Sequence, residues 1–293
     1  MISYWYRTKL HPLSLTLLPI AGLFFLISAS RRLLYRFGIL PTKKLSVPVI
    51  VVGNITVGGT GKTPFVIWLA NFLRQQGYQP GIISRGVGGK KHKRPHWVKK
   101  SHAPKEVGDE AKLLIQHANC EVVICVNRVA AATDLLQKAA CNVIISDDGL
   151  QHYRLGRDIE IVMVDGLRRF GNQCLLPAGP LREPISRLQQ VDFVIVNEGD
   201  ENEELMQLKP KQLISLDRQE VIDIHLFPHR TIHAVAGIGN PERFFSVLKK
   251  AGFNIMSHIF PDHYLFKPED LEFNDKIPII RRNQRHSDES LSV

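Results

Sequence analysis

The sequence predicts an α/β fold in which helices cover both faces of a mainly parallel sheet, with an apolar helix ahead of it and a smaller α/β unit behind it. Three observations predict this. Short continuous apolar runs recur between helical stretches, the pattern of strands buried on both faces. One such run passes through a glycine-rich turn directly into a helical pattern. A long uncharged apolar stretch stands near the N-terminus.

Taking the elements in order, no Asp, Glu, Lys or Arg occurs between Lys9 and Arg31, and the most apolar part is residues 13–29. As a helix this part reaches about 26 Å, slightly short of the roughly 30 Å hydrocarbon core of a bilayer, and Pro19 is expected to interrupt it. Arg7 and Lys9 before it and Arg31, Arg32, Arg36, Lys43 and Lys44 after it suit an anchor whose flanks meet anionic headgroups. A cleaved signal peptide fits less well, because Ile27 stands where a small residue is expected and the Arg pair follows at once. A buried core helix is the other alternative.

Residues 47–52, 81–84, 122–126, 143–145, 159–164 and 193–196 read as fully buried strands. A second series follows from about residue 213: strands near 221–226, 233–236 and 254–259, with a helix over 241–250. The expected organisation is a membrane-associated helix (1–40), a core domain (41–212) and a smaller α/β domain (213–293). Residues 90–105 hold seven Lys or Arg and are expected to be largely exposed, as a solvated loop or as a patch for phosphate or acidic lipid.

With 44% apolar side chains the chain can bury a sizeable core. Its net charge of +10 implies an anionic partner: nucleic acid, an acidic membrane surface or a phosphorylated substrate. Cys120, Cys125, Cys141 and Cys174 lack C-x-x-C spacing and are expected to be buried free thiols, with no zinc site.

The strongest local signal is Val49-Ile-Val-Val-Gly-Asn-Ile-Thr-Val-Gly-Gly-Thr-Gly-Lys-Thr-Pro64, a buried strand, a glycine-rich turn and a helix start. Gly58, Gly59 and Gly61 let the backbone of Thr56, Val57, Thr60 and their neighbours aim N–H groups at phosphate oxygens, and the helix adds its positive end. Lys62 is expected to contact the β and γ phosphates and Thr63 to ligate Mg²⁺, as in a P-loop NTPase. Thr56 departs from the first glycine of the usual motif. Asp147 and Asp148 end another buried run, where such a protein holds the acid that orients Mg²⁺; paired acids there are also plain turn formers.

Together these segments resemble the tetraacyldisaccharide 4'-kinase family of lipid A biosynthesis. The matching runs include Val52 to Pro64, Ser84-Arg-Gly86, Val107-Gly-Asp-Glu-Ala111, Asp147-Asp-Gly-Leu-Gln-His152, Leu176-Pro-Ala-Gly-Pro-Leu-Arg-Glu-Pro184 and Phe260-Pro-Asp-His263. The resemblance implies transfer of the γ-phosphoryl of ATP to the 4'-hydroxyl of a tetraacyldisaccharide 1-phosphate, a lipid A precursor disaccharide, forming lipid IVA. It also implies Mg²⁺, residence on an anionic membrane surface at the cytoplasmic face of the bacterial inner membrane, and no nucleic acid.

By position the resemblance makes Lys62 and Thr63 the phosphate and metal residues, with Asp147 and Asp148 at Mg²⁺ and Glu110 assisting. Asp109 becomes the acceptor of the hydroxyl proton, with His263 orienting it; Arg85, Gln151, His152 and Arg182 line the nucleotide or acceptor pocket. Asp109 could also be a helix N-cap, and Asp262-His263 a surface turn. Val87 stands where the family usually has Tyr. The polar residues after Ile280 lack apolar periodicity and read as a disordered end or a shifted reading frame, leaving the second domain incomplete.

Two other functions are open to the sequence. One is a P-loop GTPase or regulatory ATPase at the membrane, since Asn197-Glu-Gly-Asp200 resembles a guanine-reading run with Glu198 in place of Lys. The other is a catalytically impaired membrane-surface homologue, motivated by the basic loop and the unusual C-terminal residues.

Overall fold

A computed structural model describes residues 3–6, 10–199, 203–207, 209, 212–214, 221–238, 241–261, 264, 266–273, 275, 277–283 and 291–292. The chain forms two compact units, Ile2–Met206 and Gln207–Val293.

In the first unit α1 (Pro12–Arg36) leads β1 (Val49–Gly53), α2 (Lys62–Gln75), β2 (Pro80–Ser84), β3 (His96–Trp97), the short α3 (Pro104–Val107) and α4 (Asp109–His117). Then come β4 (Val122–Ile124), α5 (Arg128–Lys138), β5 (Val143–Asp147), β6 (Ile159–Asp165), β7 (Phe193–Asn197) and β8 (Leu205–Met206). The sheet order is β3-β4-β2-β5-β1-β6-β7-β8, and every pair is parallel except β3 with β4.

The strands alternate between two cores because successive side chains point to opposite faces. Ile50 and Val52 pack with Phe65, Leu69 and Leu114 of α2 and α4, while Val49 and Val51 pack with Ala131 and Leu135 of α5. Helices therefore cover both faces, as the unbroken apolar runs imply. The exception is β7, whose first residue, Phe193, is exposed near the sheet edge.

Register sets up the site. β1 pairs with β5 so that Val52 lies opposite Asp147, which brings the loop after β1 beside the acidic pair that ends β5. Ligands of open α/β sheets bind in this crevice, outside the carboxyl ends of the strands.

Several expectations need correction. Pro19 does not interrupt α1, which runs continuously for 25 residues, or about 37 Å; a proline costs one backbone bond while those on either side remain. Only Ser14 and Ala21 of α1 are buried, and Leu15, Ile20, Leu23, Leu26 and Ile27 are exposed, so α1 is not a core helix. In residues 90–105 the seven Lys and Arg are exposed, but the segment is no plain solvated loop. It carries β3, buries Val98 and is pinned by a 2.6 Å hydrogen bond from Trp97 Nε1 to Asp134. Among the cysteines only Cys125 is buried; the other three are half-buried, and all are free thiols.

The second unit contains β9 (Gln212–Ile214), β10 (Val221–Asp223), β11 (Thr231–Gly237), α6 (Pro241–Lys250), β12 (Asn254–Ile259), β13 (Ile279–Asn283) and β14 (Leu291–Ser292). The order is β10-β9-β14-β13-β11-β12, with β11 parallel to both neighbours. Phe244, Phe245 and Leu248 of α6 pack on Ile232, Ala234 and Ile280. Against the expected disordered end, Leu291 and Ser292 bridge β13 and β9; residues 284–290 lie outside those described.

Candidate active site

The loop after β1 is braced from three directions. Asn54 Nδ2 donates to Gly58 O (3.3 Å), Val57 N to Pro180 O (2.8 Å) and Asn197 Nδ2 to Thr60 O (3.0 Å). Gly61, the N-cap of α2, has φ 89°, and a Cβ there would lie 2.0 Å from Asn197 Nδ2, so only glycine fits. Thr56 departs from the glycine pattern because it does a strand's work, forming an antiparallel bridge with Leu181. Lys62 and Thr63 follow as the first residues of α2, at its positive end.

Asp147 is buried at the end of β5 and accepts a 3.1 Å hydrogen bond from Ser84 Oγ. Asp148 turns away with φ 46°, a left-handed conformation that Asp tolerates better than most residues. It receives Lys62 Nζ at 3.5 Å and Arg182 Nη1 at 3.4 Å.

These charges shape the titration of the site. Burial, then the charge of the neighbouring Asp148 carboxylate, raises the Asp147 carboxyl above its ordinary range. Burial first, and the Asp147 charge second, push Glu110 up to about 7. Burial would raise Asp148 too, but Lys62 and Arg182 outweigh it and hold that carboxyl low. Glu110, Asp147, Asp148, Lys62 and Arg182 are thus one electrostatic cluster, rich in crowded carboxylate.

That crowding suits a divalent cation, which relieves the repulsion that raises Asp147 and Glu110. Among the described residues no three His, Cys, Asp or Glu side chains form a ready-made metal cage. A site with few protein ligands is what Mg²⁺ uses when water and phosphate oxygens complete its shell.

Asp109 is the first residue of α4, after the N-cap Gly108, and its side chain makes no capping bond, so the plain N-cap explanation fails. Its half-buried carboxylate has no hydrogen bond or ion pair to another described side chain. His263 lies outside the described residues, as does Asp200 of the guanine-like run.

Gln151 donates to Asn54 O (3.2 Å) and to Glu183 Oε1 (2.8 Å), so it links the start of the phosphate loop to a buried acid. Burial, reinforced by Arg128 and Arg85, lowers His152 to about 4. Arg85 is exposed after β2, and its charge is felt by Arg128 and His152.

Two residues of this region escape sequence reasoning. Glu183 is 2% exposed and accepts from Arg32 (3.3 Å), Tyr153 (2.9 Å) and Gln151, with Arg187 Nε at 3.4 Å. It ties α1 to the segment that carries Arg182. Arg128 is also 2% exposed and opens α5; an Arg after a buried run and an Asn cap was the available signal.

Comparison with known proteins agrees with this architecture. A family model described as "LpxK: Tetraacyldisaccharide-1-P 4'-kinase" matches residues 13–280. A tetraacyldisaccharide 4'-kinase of Nitrosococcus oceani is 50% identical over 96% of this chain and 82% of its own length. Another, from Methylobacillus flagellatus, is 52% identical over 88% of this chain and 78% of its own. A crystal structure of LpxK from Aquifex aeolicus in complex with ATP superposes with a TM-score of 0.75 at 29% identity, covering 96% of this chain and 93% of that one. The chain belongs to the tetraacyldisaccharide 4'-kinase family of lipid A biosynthesis.

Proposed function

We propose that this chain transfers the γ-phosphoryl group of ATP to the 4'-hydroxyl of a tetraacyldisaccharide 1-phosphate, using the site formed by the loop after β1 and the acidic end of β5. The observation that carries this reading is the cluster of Lys62, Asp148 and Arg182, with Lys62 Nζ 3.5 Å from Asp148 at the start of α2. ATP binding finds support in the ATP complex of the Aquifex aeolicus relative.

The N–H groups of residues 56–63 and the positive end of α2 hold the nucleotide phosphates, and Lys62 stabilises the charge that spreads over the γ-phosphoryl oxygens during transfer. Thr63, Asp147 and Asp148 would hold Mg²⁺, with Glu110 beside them. When bound, the cation neutralises phosphate charge and fixes the leaving group. Arg182 adds a second cation and keeps Asp148 ionised. Asp109 takes the proton of the 4'-hydroxyl as its oxygen bonds to the γ-phosphorus and the bond to ADP breaks. Arg85, Gln151 and His152 line the acceptor side.

α1 is the membrane element. Its exposed apolar side chains and its basic flank Arg31, Arg32 and Arg36 suit insertion at a surface of anionic lipid, where the acylated acceptor resides. Lys90 and the other exposed cations of residues 90–105 suit the same surface.

The test is transfer of labelled γ-phosphate to the tetraacylated acceptor in detergent micelles, with GTP in place of ATP in a parallel arm. Transfer from ATP supports the reading. A protein that hydrolyses nucleotide without labelling the disaccharide contradicts it and favours the regulatory NTPase.

A further inference from the structure

The residues ahead of α1 reach the loop between β1 and α2. Ser3–Tyr6 form a single 3₁₀ turn, and the Tyr6 hydroxyl at its end donates to Val57 O at 3.3 Å. The turn is docked by other groups. Trp5 is buried, its carbonyl accepts from Asn172 N at 2.7 Å, and the Arg168 guanidinium stands 5.4 Å from the centre of the Tyr6 ring. Asn172 Nδ2 also donates to Ser14 Oγ of α1 at 3.3 Å. The Tyr6 hydroxyl is therefore not needed to hold the turn in place. Burial raises the phenol above its ordinary value, with Arg168 acting against it and Asp165 with it, so at neutral pH the group keeps its proton and donates.

What the hydroxyl controls is a peptide of the loop. A peptide group is planar and trans, so the Val57 carbonyl and the Gly58 N–H point in opposite directions. Holding Val57 O toward Tyr6 aims the Gly58 N–H away from it. The local backbone does not enforce this choice. Gly58 has φ 115°, and a Cβ at Gly59 would meet nothing within 4 Å, so a peptide in this stretch can turn over at little cost. The groups on either side are tied separately: Val57 N donates to Pro180 O, and Gly58 O accepts from Asn54 Nδ2.

We propose that Tyr6 is a positioning residue for nucleotide binding, its hydroxyl fixing the Val57–Gly58 peptide so that the Gly58 N–H is presented to a phosphate oxygen of ATP. This rests on the nucleotide site assigned above and adds to it a residue 51 positions before the loop, outside the glycine-rich motif. Residues 172–182 complete the frame. Leu181 bridges Thr56 and Arg182 N donates to Ile55 O at 2.7 Å, while Asn172 at the other end of the segment holds both the N-terminal turn and α1. The shape of the loop is thus linked through Tyr6 and Asn172 to the seating of the apolar helix.

The experiment measures equilibrium binding of ATP to the full chain in detergent micelles, for wild type, Tyr6→Phe and Tyr6→Leu. Thermal unfolding of each protein and the KM of the tetraacylated acceptor are measured alongside. Tyr6→Phe removes the hydroxyl and keeps the ring beside Arg168, so the turn stays docked. The expected result is a Kd for ATP raised about 3–10-fold in Tyr6→Phe, the scale of one neutral hydrogen bond, with the acceptor KM at its wild-type value. Tyr6→Leu should weaken ATP binding at least as much. Tyr6→Phe protein that binds ATP as tightly as wild type overturns the proposal, whatever Tyr6→Leu does, since only the ring would then matter. Equal weakening toward ATP and acceptor also overturns it, marking a general loss of packing. Wild-type protein that binds no ATP instead removes the nucleotide site on which the proposal rests.

Discussion

Lys62 Nζ lies 3.5 Å from Asp148 Oδ1, so the lysine of the phosphate loop is already tethered to the acidic pair at the end of the neighbouring strand. The pairing joins the two segments that the β1–β5 register brings together. It holds the lysine beside Asp148 and keeps that carboxyl ionised.

Lys62→Ala should therefore lower phosphoryl transfer by at least about 10²–10³-fold, the cost of removing one stabiliser of transition-state charge. The fold should persist, because Lys62 is not in the apolar core. Turnover and thermal unfolding measured together check this; a well-folded variant with wild-type turnover would remove Lys62 from the mechanism.

Asp148→Asn tests the metal assignment. Neutralising this side chain should raise the Mg²⁺ concentration needed for half-maximal activity, and chelation should abolish transfer in wild type. The check is a magnesium titration of both proteins at saturating ATP. Superimposable titrations would mean that Asp148 serves Lys62 and Arg182 alone.

Glu183→Gln should destabilise the first unit, since Arg32 and Arg187 would face a buried neutral amide. Removing one partner of a buried ion pair costs about 3–5 kcal/mol, although Arg187 keeps its contact with Glu160, which places the expectation near the lower end. Thermal unfolding should shift down by several degrees. An unchanged Tm would show that the buried carboxylate carries little net stability.

The apolar face of α1 should hold the protein on membranes by insertion, which salt does not screen. High-salt washing should leave the intact protein bound, whereas Leu23→Glu with Leu26→Glu should release it. Deleting the first 35 residues is a poorer test than the sequence alone implies. That segment also supplies the Trp5 carbonyl that accepts from Asn172 N, the Tyr6 hydroxyl that donates to Val57 O, and Arg32 on Glu183. Release of the intact chain by salt alone would leave only electrostatic adhesion.

Much of this architecture is legible in the residues. Strands buried on both faces need unbroken apolar runs, so β1, β2, β4, β5 and β6 announce themselves. β3 and β8 do not, because two-residue edge strands carry no periodicity. The glycine-rich turn between β1 and α2 is legible since its glycines and Gly61-Lys62-Thr63 have few other uses in that order. The continuity of α1 through Pro19 is not, because local propensity says nothing of a helix with intact bonds on either side. Glu183 is equally hidden, and Arg128 is marked only by its place after the Asn127 cap. Their importance lies in what they do and do not bond, and donors without partners have no signature in a chain of letters.

The most direct measurement concerns Asp109. Its carboxylate is half-buried in the first turn of α4, with no hydrogen bond or ion pair to another described side chain. Asp109→Asn keeps the shape of the side chain and removes the proton acceptor. Labelled γ-phosphate transfer to the tetraacyldisaccharide 1-phosphate should fall by about 10²–10⁴-fold, the usual contribution of a general base, while ATP affinity stays at the wild-type value. Asp109→Asn protein that labels the disaccharide as fast as wild type would contradict the account.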